Sequence, residues 1–222
     1  MGTLLSPPPN KLLISADEMA AAERHLSKSD AVMKRLIKTY ARCTIGQSRR
    51  DPFHVLCTSI ISQQLSVKAA DTIQARVATA VLAGAKFMPA HFIDAEHALL
   101  RAAGLSNAKA KWLIGIAQAV HSGEFSFAKL RRMDDESAIE ALDALPGIGR
   151  WTAEMYLMFA LARLDIFSLG DVGLRNGVNR LYNNGEKLDD EATLAIAARW
   201  APYRSIASWY LWRAMEAAPK VG

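Results

Sequence analysis

Only two residues of the 222-residue chain are cysteine, Cys43 and Cys57. Two thiols cannot build a disulfide framework, a four-cysteine zinc site or a four-thiolate iron–sulfur cluster. Histidine is scarce as well. His25, His54, His91, His97 and His121 show no HxxxH spacing, and the one HxxE, His121 with Glu124, has no second histidine near it, which argues against a local metal box. No apolar run reaches the ~18 residues that cross a bilayer, and no basic stretch followed by an apolar one opens the chain. Alternating β-type runs are missing except around Ile166, Phe167 and Ser168. Charge of one sign is in mild excess: 27 Lys and Arg against 22 Asp and Glu leave +5, which suits a polyanionic partner without requiring one.

What is present is globular and helical. Hydrophobic residues make up 51% and charged residues 22%, a balance that excludes a disordered or fibrous chain. The length allows one large domain or two small lobes. Residues 1–10, with three consecutive prolines, read as a flexible tail, because proline opposes both helix and sheet pairing. Ser15 with Glu18 forms a capping box, and Pro52 after Asp51 occupies a first helical turn. Ser66 opens a helix that runs toward Gly84. Helices also open at 94–96 and at Ser106, the latter closing before Gly123. Further helices over 134–145, 150–163, 172–182, 189–200 and 203–217 bring the total to about ten or eleven short helices, so the spacing predicts an irregular all-α fold.

Two segments carry chemistry. Leu145-Pro146-Gly147-Ile148-Gly149-Arg150-Trp151-Thr152-Ala153 lies between two of these helices. Pro146 stops the first helix, and the two glycines permit a tight turn whose N–H groups stand at the start of the second, a place suited to a phosphate. An ordinary helix–helix turn is the alternative. Twenty-two residues after Gly149 stands Asp171, at a predicted helix start. An N-cap is its commonest role. That role is compatible with a second one, since a carboxylate fixed in direction can face a developing positive charge.

With these segments in view, the chain resembles the helix-hairpin-helix DNA glycosylases with a Gly/Pro-rich loop and an aspartate (the HhH-GPD superfamily). Within it, the chain looks most similar to the bacterial 3-methyladenine DNA glycosylase II group. The resemblance rests on Ile60-Ile61-Ser62-Gln63-Gln64-Leu65-Ser66, on Ala103-Gly104-Leu105-Ser106 with Lys109-Ala110, on the hairpin, on the Asp171 loop, and on Trp200-Ala201-Pro202-Tyr203-Arg204-Ser205 through Trp212. It implies a two-lobed all-α fold lacking the extra N-terminal α/β domain of larger members. One lobe would be 53–164, with the helix-hairpin-helix over about 138–160, and the other 11–52 plus 165–222.

The resemblance also implies roles. Asp171 matches the catalytic aspartate of an enzyme that flips a damaged nucleotide from the duplex and cleaves its N-glycosidic bond. Trp151 stands where members that also cut the backbone carry a Schiff-base lysine, so the chain reads as monofunctional, without lyase activity. Trp151 would line the base pocket and favour a cationic methylated purine through its ring face. Alternatively it fills a gap beside the hairpin. Trp212 matches a second pocket residue or is structural. Met155 and Val172 match pocket positions where larger relatives carry tyrosine. Gln64 matches the wedge that enters the gap left by the flipped base, or is a solvated helix-end residue. Gly147, Ile148, Gly149 and Thr152 match the phosphate-binding hairpin, while Lys109 and Lys111 touch phosphate or simply solubilise. The carbonyls of Asp143, Leu145 and Ile148 match a site for a structural sodium or potassium ion. No other cofactor and no iron–sulfur cluster are expected.

The expected activity is removal of alkylated purines, 3-methyladenine and 7-methylguanine first, from double-stranded DNA in base excision repair. The expected form is a cytoplasmic, nucleoid-associated monomer with no membrane partner. A glycosylase for neutral lesions such as hypoxanthine or a mismatched base, and a non-catalytic module that binds damaged DNA, are the alternatives.

Overall fold

A computed structural model of the chain describes residues 13–47, 51–84 and 86–217, so the expected tail over 1–10 lies outside the described residues. The described residues are all-α, with no strand among them. The chain folds as two compact units, Met1–Arg49 with Leu161–Gly222 and Arg50–Ala160. The sequence reading puts the changes a few residues later in each case, at 52/53 and 164/165.

The first unit contains α1 (Ala16–Ser29), α2 (Ala31–Thr39), α10 (Val172–Tyr182), α11 (Asp190–Ala198) and α12 (Arg204–Glu216). The expected capping box starts α1: the Glu18 amide donates to Ser15 Oγ at 3.1 Å, and the Ser15 amide donates to Glu18 Oε2 at 3.2 Å. The core of this unit includes Leu26, Met33, Leu36, Val178, Trp200, Ile206 and Leu211, and each such side chain contributes about 1.5–3 kcal/mol when fully buried. A buried carboxylate organises it. Asp30 caps α2 through the amides of Val32 at 2.8 Å and Met33 at 3.0 Å, and accepts from Tyr182 Oη at 3.0 Å and Trp200 Nε1 at 3.3 Å. Burial, then the adjacent Asp30 carboxylate, holds the Tyr182 phenol well above its usual range.

The second unit contains α3 (Pro52–Ser62), α4 (Val67–Ala80), a 3-10 turn (Pro89–His91), α5 (His97–Ala102), α6 (Asn107–Ser122), α7 (Phe127–Leu130), α8 (Asp135–Asp143) and α9 (Arg150–Phe159). Asp51, Ser66, Ser106 and Asp134 cap α3, α4, α6 and α8 with their side chains. Gly123 ends α6 in the left-handed conformation, with φ +81°. Phe53, Leu56, Cys57, Ile60, Leu100, Leu113 and Leu157 are buried. Both cysteines are reduced and buried. Burial pushes the Cys43 thiol up to about 12 and raises that of Cys57 as well, so neither is a thiolate at neutral pH.

The described residues form twelve α-helices, more than the ten or eleven the sequence predicts, because α2 and α7 are short. α2 follows α1 after the single residue Asp30, whose buried side chain is its cap. α4 stops at Ala80, short of Gly84, because Leu82 turns left-handed with φ +52°. The hairpin's first helix runs over Asp135–Asp143, close to the expected 134–145.

Candidate functional site

The hairpin belongs to the second unit. Between α8 and α9 the Ile148 amide donates to Leu145 O at 3.1 Å and closes the turn. Gly147 adopts φ +81°, a region that costs a residue with a Cβ about 1–2 kcal/mol. Glycine is required there for a second reason. A Cβ would come within 2.2 Å of Trp112 Cε3 on α6, so the turn backbone lies directly on an indole. Gly149 contrasts with it. It caps α9 with an ordinary extended φ of −94°, no side chain caps that helix, and a Cβ would have nothing within 4 Å. Of the four expected phosphate-binding residues, Ile148 has its N–H committed to the turn. Gly147 and Gly149 shape the backbone around it, and Thr152 is half-buried in the first turn of α9.

One face of α9 opens on a cavity of about 770 Å³ in the same unit. Trp151, Thr152, Met155 and Phe159 line one wall, while Thr58, Ser62, Gln63 and Gln64 from α3 and the turn after it are among the residues of the other. The volume lies within the range of small-molecule pockets. Trp151 is 51% exposed, so it is not a buried core side chain. Met155, one turn along, is half-buried beneath it. Gln64 is exposed and sits at φ +58°, an uncommon conformation for a residue other than glycine. Lys109 does not serve as a surface charge. Its ammonium donates to Ile61 O at 2.9 Å and Gln63 O at 2.7 Å, and burial lowers its pKa.

Asp171 belongs to the first unit, where it caps α10. Its Oδ1 accepts from the Leu174 amide at 2.8 Å and from the indole Nε1 of Trp212 at 3.0 Å. Trp212 is therefore tied to the carboxylate through its edge, a role sequence reasoning missed. Gly173 permits the arrangement, since a Cβ there would lie 3.1 Å from Asp171 Oδ1 and 3.3 Å from Trp212 Nε1. The approach to Asp171 is fastened to the start of α12. Arg204 pairs with Asp165 through two hydrogen bonds of 2.8 and 3.0 Å, the Ile166 amide donates to the buried Ser205 Oγ at 2.9 Å, and the Ser205 amide donates to Leu164 O at 2.9 Å. The short β-type run around Ile166 is thus an extended loop stapled to a helix end, not a strand. Val172, directly after the aspartate, is 71% exposed. A fixed carboxylate of this kind can stabilise positive charge, and half-exposed Trp151 offers a ring face but no amine.

The comparisons with known proteins agree with this architecture. Residues 57–202 match the HhH-GPD superfamily of base excision DNA repair proteins. The chain is 34% identical over 203 residues to DNA-3-methyladenine glycosylase 1 of Schizosaccharomyces pombe, covering 90% of this chain and 89% of that protein. Among solved structures, a DNA-3-methyladenine glycosidase from Bacillus halodurans is 37% identical with a TM-score of 0.80, covering 88% of this chain and 89% of that one. An S. pombe 3-methyladenine DNA glycosylase in complex with abasic DNA is 34% identical with a TM-score of 0.75, covering 89% and 98%. The family match extends over α4, the hairpin and the Asp171 turn, and the chain belongs to the HhH-GPD superfamily of base excision DNA repair proteins.

Proposed function

We infer that the protein is a monofunctional DNA glycosylase that hydrolyses the N-glycosidic bond of alkylated purines, with 3-methyladenine and 7-methylguanine the first candidates. The observation that carries this reading is the pinned Asp171 carboxylate, held through one oxygen by a backbone amide and an indole N–H. Cleavage of a sugar–base bond passes through an oxocarbenium-like state. A carboxylate whose direction is already fixed stabilises that cation without reorganising as it forms. As the bond breaks, the base leaves with the electron pair, water adds to the sugar carbon, and a proton returns to solvent. An alkylated purine carries its positive charge before the bond breaks, so its departure requires no strong general acid.

Trp151 and Met155 would receive the flipped base in their groove, where the exposed indole face attracts a charged ring more than a neutral one. Gln64 would fill the gap in the stack. The turn at Gly147 and Gly149 would hold backbone phosphate at the start of α9 without reading sequence. The carbonyls of Asp143, Leu145 and Ile148 would hold a monovalent structural cation. Leu145 O already accepts one amide, and a carbonyl oxygen has a second lone pair to offer. No group of three or more His, Cys, Asp or Glu side chains suited to a metal occurs among the described residues. The protein would act as a monomer on double-stranded DNA.

The test is incubation with duplexes that each carry one defined lesion, measuring base release and, separately, strand scission before and after alkali. Release of 3-methyladenine or 7-methylguanine, leaving strands that break only after alkali, supports the reading. Scission without alkali, or a protein–DNA adduct trapped by borohydride, contradicts the monofunctional part of it. Equal release of hypoxanthine would instead favour a glycosylase for neutral lesions.

A further inference from the structure

The turn after α3 is held in an unusual way. A helix leaves its last carbonyls without intrahelical partners, and a glycine in the left-handed conformation is the common way to finish one. Here the left-handed position is Gln64, exposed and at φ +58°. Strain retained at an exposed side chain persists only where the surroundings impose it. Two contacts impose it here. Lys109 reaches from α6 to the carbonyls of Ile61 and Gln63 at 2.9 and 2.7 Å. The side chain of Gln63 turns the other way and donates from Nε2 to Gly147 O, 84 residues further along the chain, at 2.9 Å. Gly147 in turn rests on Trp112, which stands three residues after Lys109 on α6 and therefore on the same face of that helix.

We propose that Gln63 and Lys109 are positioning residues that lock the turn presenting Gln64 to the glycine hairpin, so that the two turns move as one piece. Both lie in one unit and share one supporting helix face. Gln63 touches both partners directly: its carbonyl is held from α6 and its side-chain amide holds the hairpin. The consequence for catalysis rests on the glycosylase reading above. The mechanical link itself does not.

Hydrogen exchange on the intact, DNA-free protein tests the link directly. Gln63→Leu keeps the side-chain bulk and removes the donor. Exchange over residues 145–149 should rise about tenfold, the scale of losing one hydrogen bond, while α10 and α12 keep their protection. Lys109→Met should raise exchange over residues 62–66 and the hairpin together, and Lys109→Arg should restore most of the protection. Unchanged hairpin exchange in Gln63→Leu overturns the proposal, and that variant decides the matter even if Lys109→Met fails to fold. A kinetic cycle tests the consequence. Gln63→Leu should slow base release from a methylated duplex about tenfold in the native background and hardly at all in a Gln64→Ala background, because residues acting as a unit are not additive. Fully multiplicative losses would show that Gln63 does not act through Gln64. A native protein that releases no base from any duplex would defeat the glycosylase reading, while the exchange result would still decide the link.

Discussion

α9 and α10 both begin at turns that the proposed function uses, and they are finished in opposite ways. The start of α9 is capped by Gly149, with no side-chain capping bond and open space where a Cβ would lie. The start of α10 is covered by the protein's own carboxylate, Asp171, whose Oδ1 accepts both the Leu174 amide and the Trp212 indole. Every helix start carries partial positive charge and unpaired N–H groups. Left open, such an end accepts an anion from outside, such as a backbone phosphate. Filled from inside, it becomes a mount that aims a negative charge at something else. On the proposed reading, the difference between one glycine and one aspartate separates holding DNA from acting on it.

The comparison breaks most visibly at Asp171. Asp171→Asn preserves a capping side chain but removes the charge, so the fold and DNA affinity should persist while base release slows by about 10²-fold or more. Single-turnover release with binding measured in parallel checks this. If release stays near normal, the mount carries no catalytic charge, and buried Glu154, which pairs with Arg150 at 3.1 Å, becomes the next carboxylate to test.

Selectivity should respond next. Trp151→Leu keeps apolar contact in the groove and removes the ring face. A desolvated cation–π contact is worth about 2 kcal/mol, or a factor of roughly 30. The kcat/KM ratio for methylated purine over hypoxanthine should fall by up to that factor, whatever happens to the absolute rates. A ratio that does not move would leave selection to the intrinsic lability of the charged lesion.

Trp212→Phe separates the two roles open to that residue. It retains an aromatic ring and deletes the Nε1 donor to Asp171, whose loss costs roughly 1.5–3 kcal/mol for a hydrogen bond to a charged group. Release should slow about tenfold or more, by that same figure, with DNA binding unchanged and the lesion ratio preserved. A lowered lesion ratio would return Trp212 to the pocket.

Much of this was legible in the sequence, and for local reasons. The caps at Ser15, Asp51, Ser66, Ser106 and Asp134 are side chains bonding to amides three residues away, so residue type and spacing suffice. The Asp171 cap and the glycine turn were readable on the same ground. What escaped depends on partners distant in the chain. Trp212 meets Asp171 across 41 residues, and Gln63 meets Gly147 across 84. Asp30 gathers Tyr182 and Trp200 across more than 150. No periodicity encodes such pairs. Lys109 read as a surface or phosphate lysine because nothing local shows that Ile61 O and Gln63 O stand beside it. Gly173 carried a faint signal, as a glycine two residues after a capping aspartate, but its purpose, making room for an indole, emerges only from the packing.

The smallest expected effect is the most specific test of the open helix start, because it needs two glycines of one turn to behave differently. Gly147→Ala places a Cβ at φ +81° and 2.2 Å from Trp112. The left-handed penalty of about 1–2 kcal/mol joins an overpacking cost of about 1–3 kcal/mol. Thermal or denaturant unfolding should therefore register a loss of a few kcal/mol. At Gly149 a Cβ meets no neighbour and requires no unusual φ, so Gly149→Val should cost only about 1 kcal/mol, the scale of a poorer N-cap residue. Its main effect should appear with DNA, as affinity reduced about fivefold for damaged and undamaged duplexes alike, with a correspondingly shallower salt dependence. Weakening confined to the damaged duplex would place Gly149 in base recognition. Undisturbed binding to both would mean that the open end of α9 holds no phosphate, and the contrast with Asp171 would then be one of capping alone.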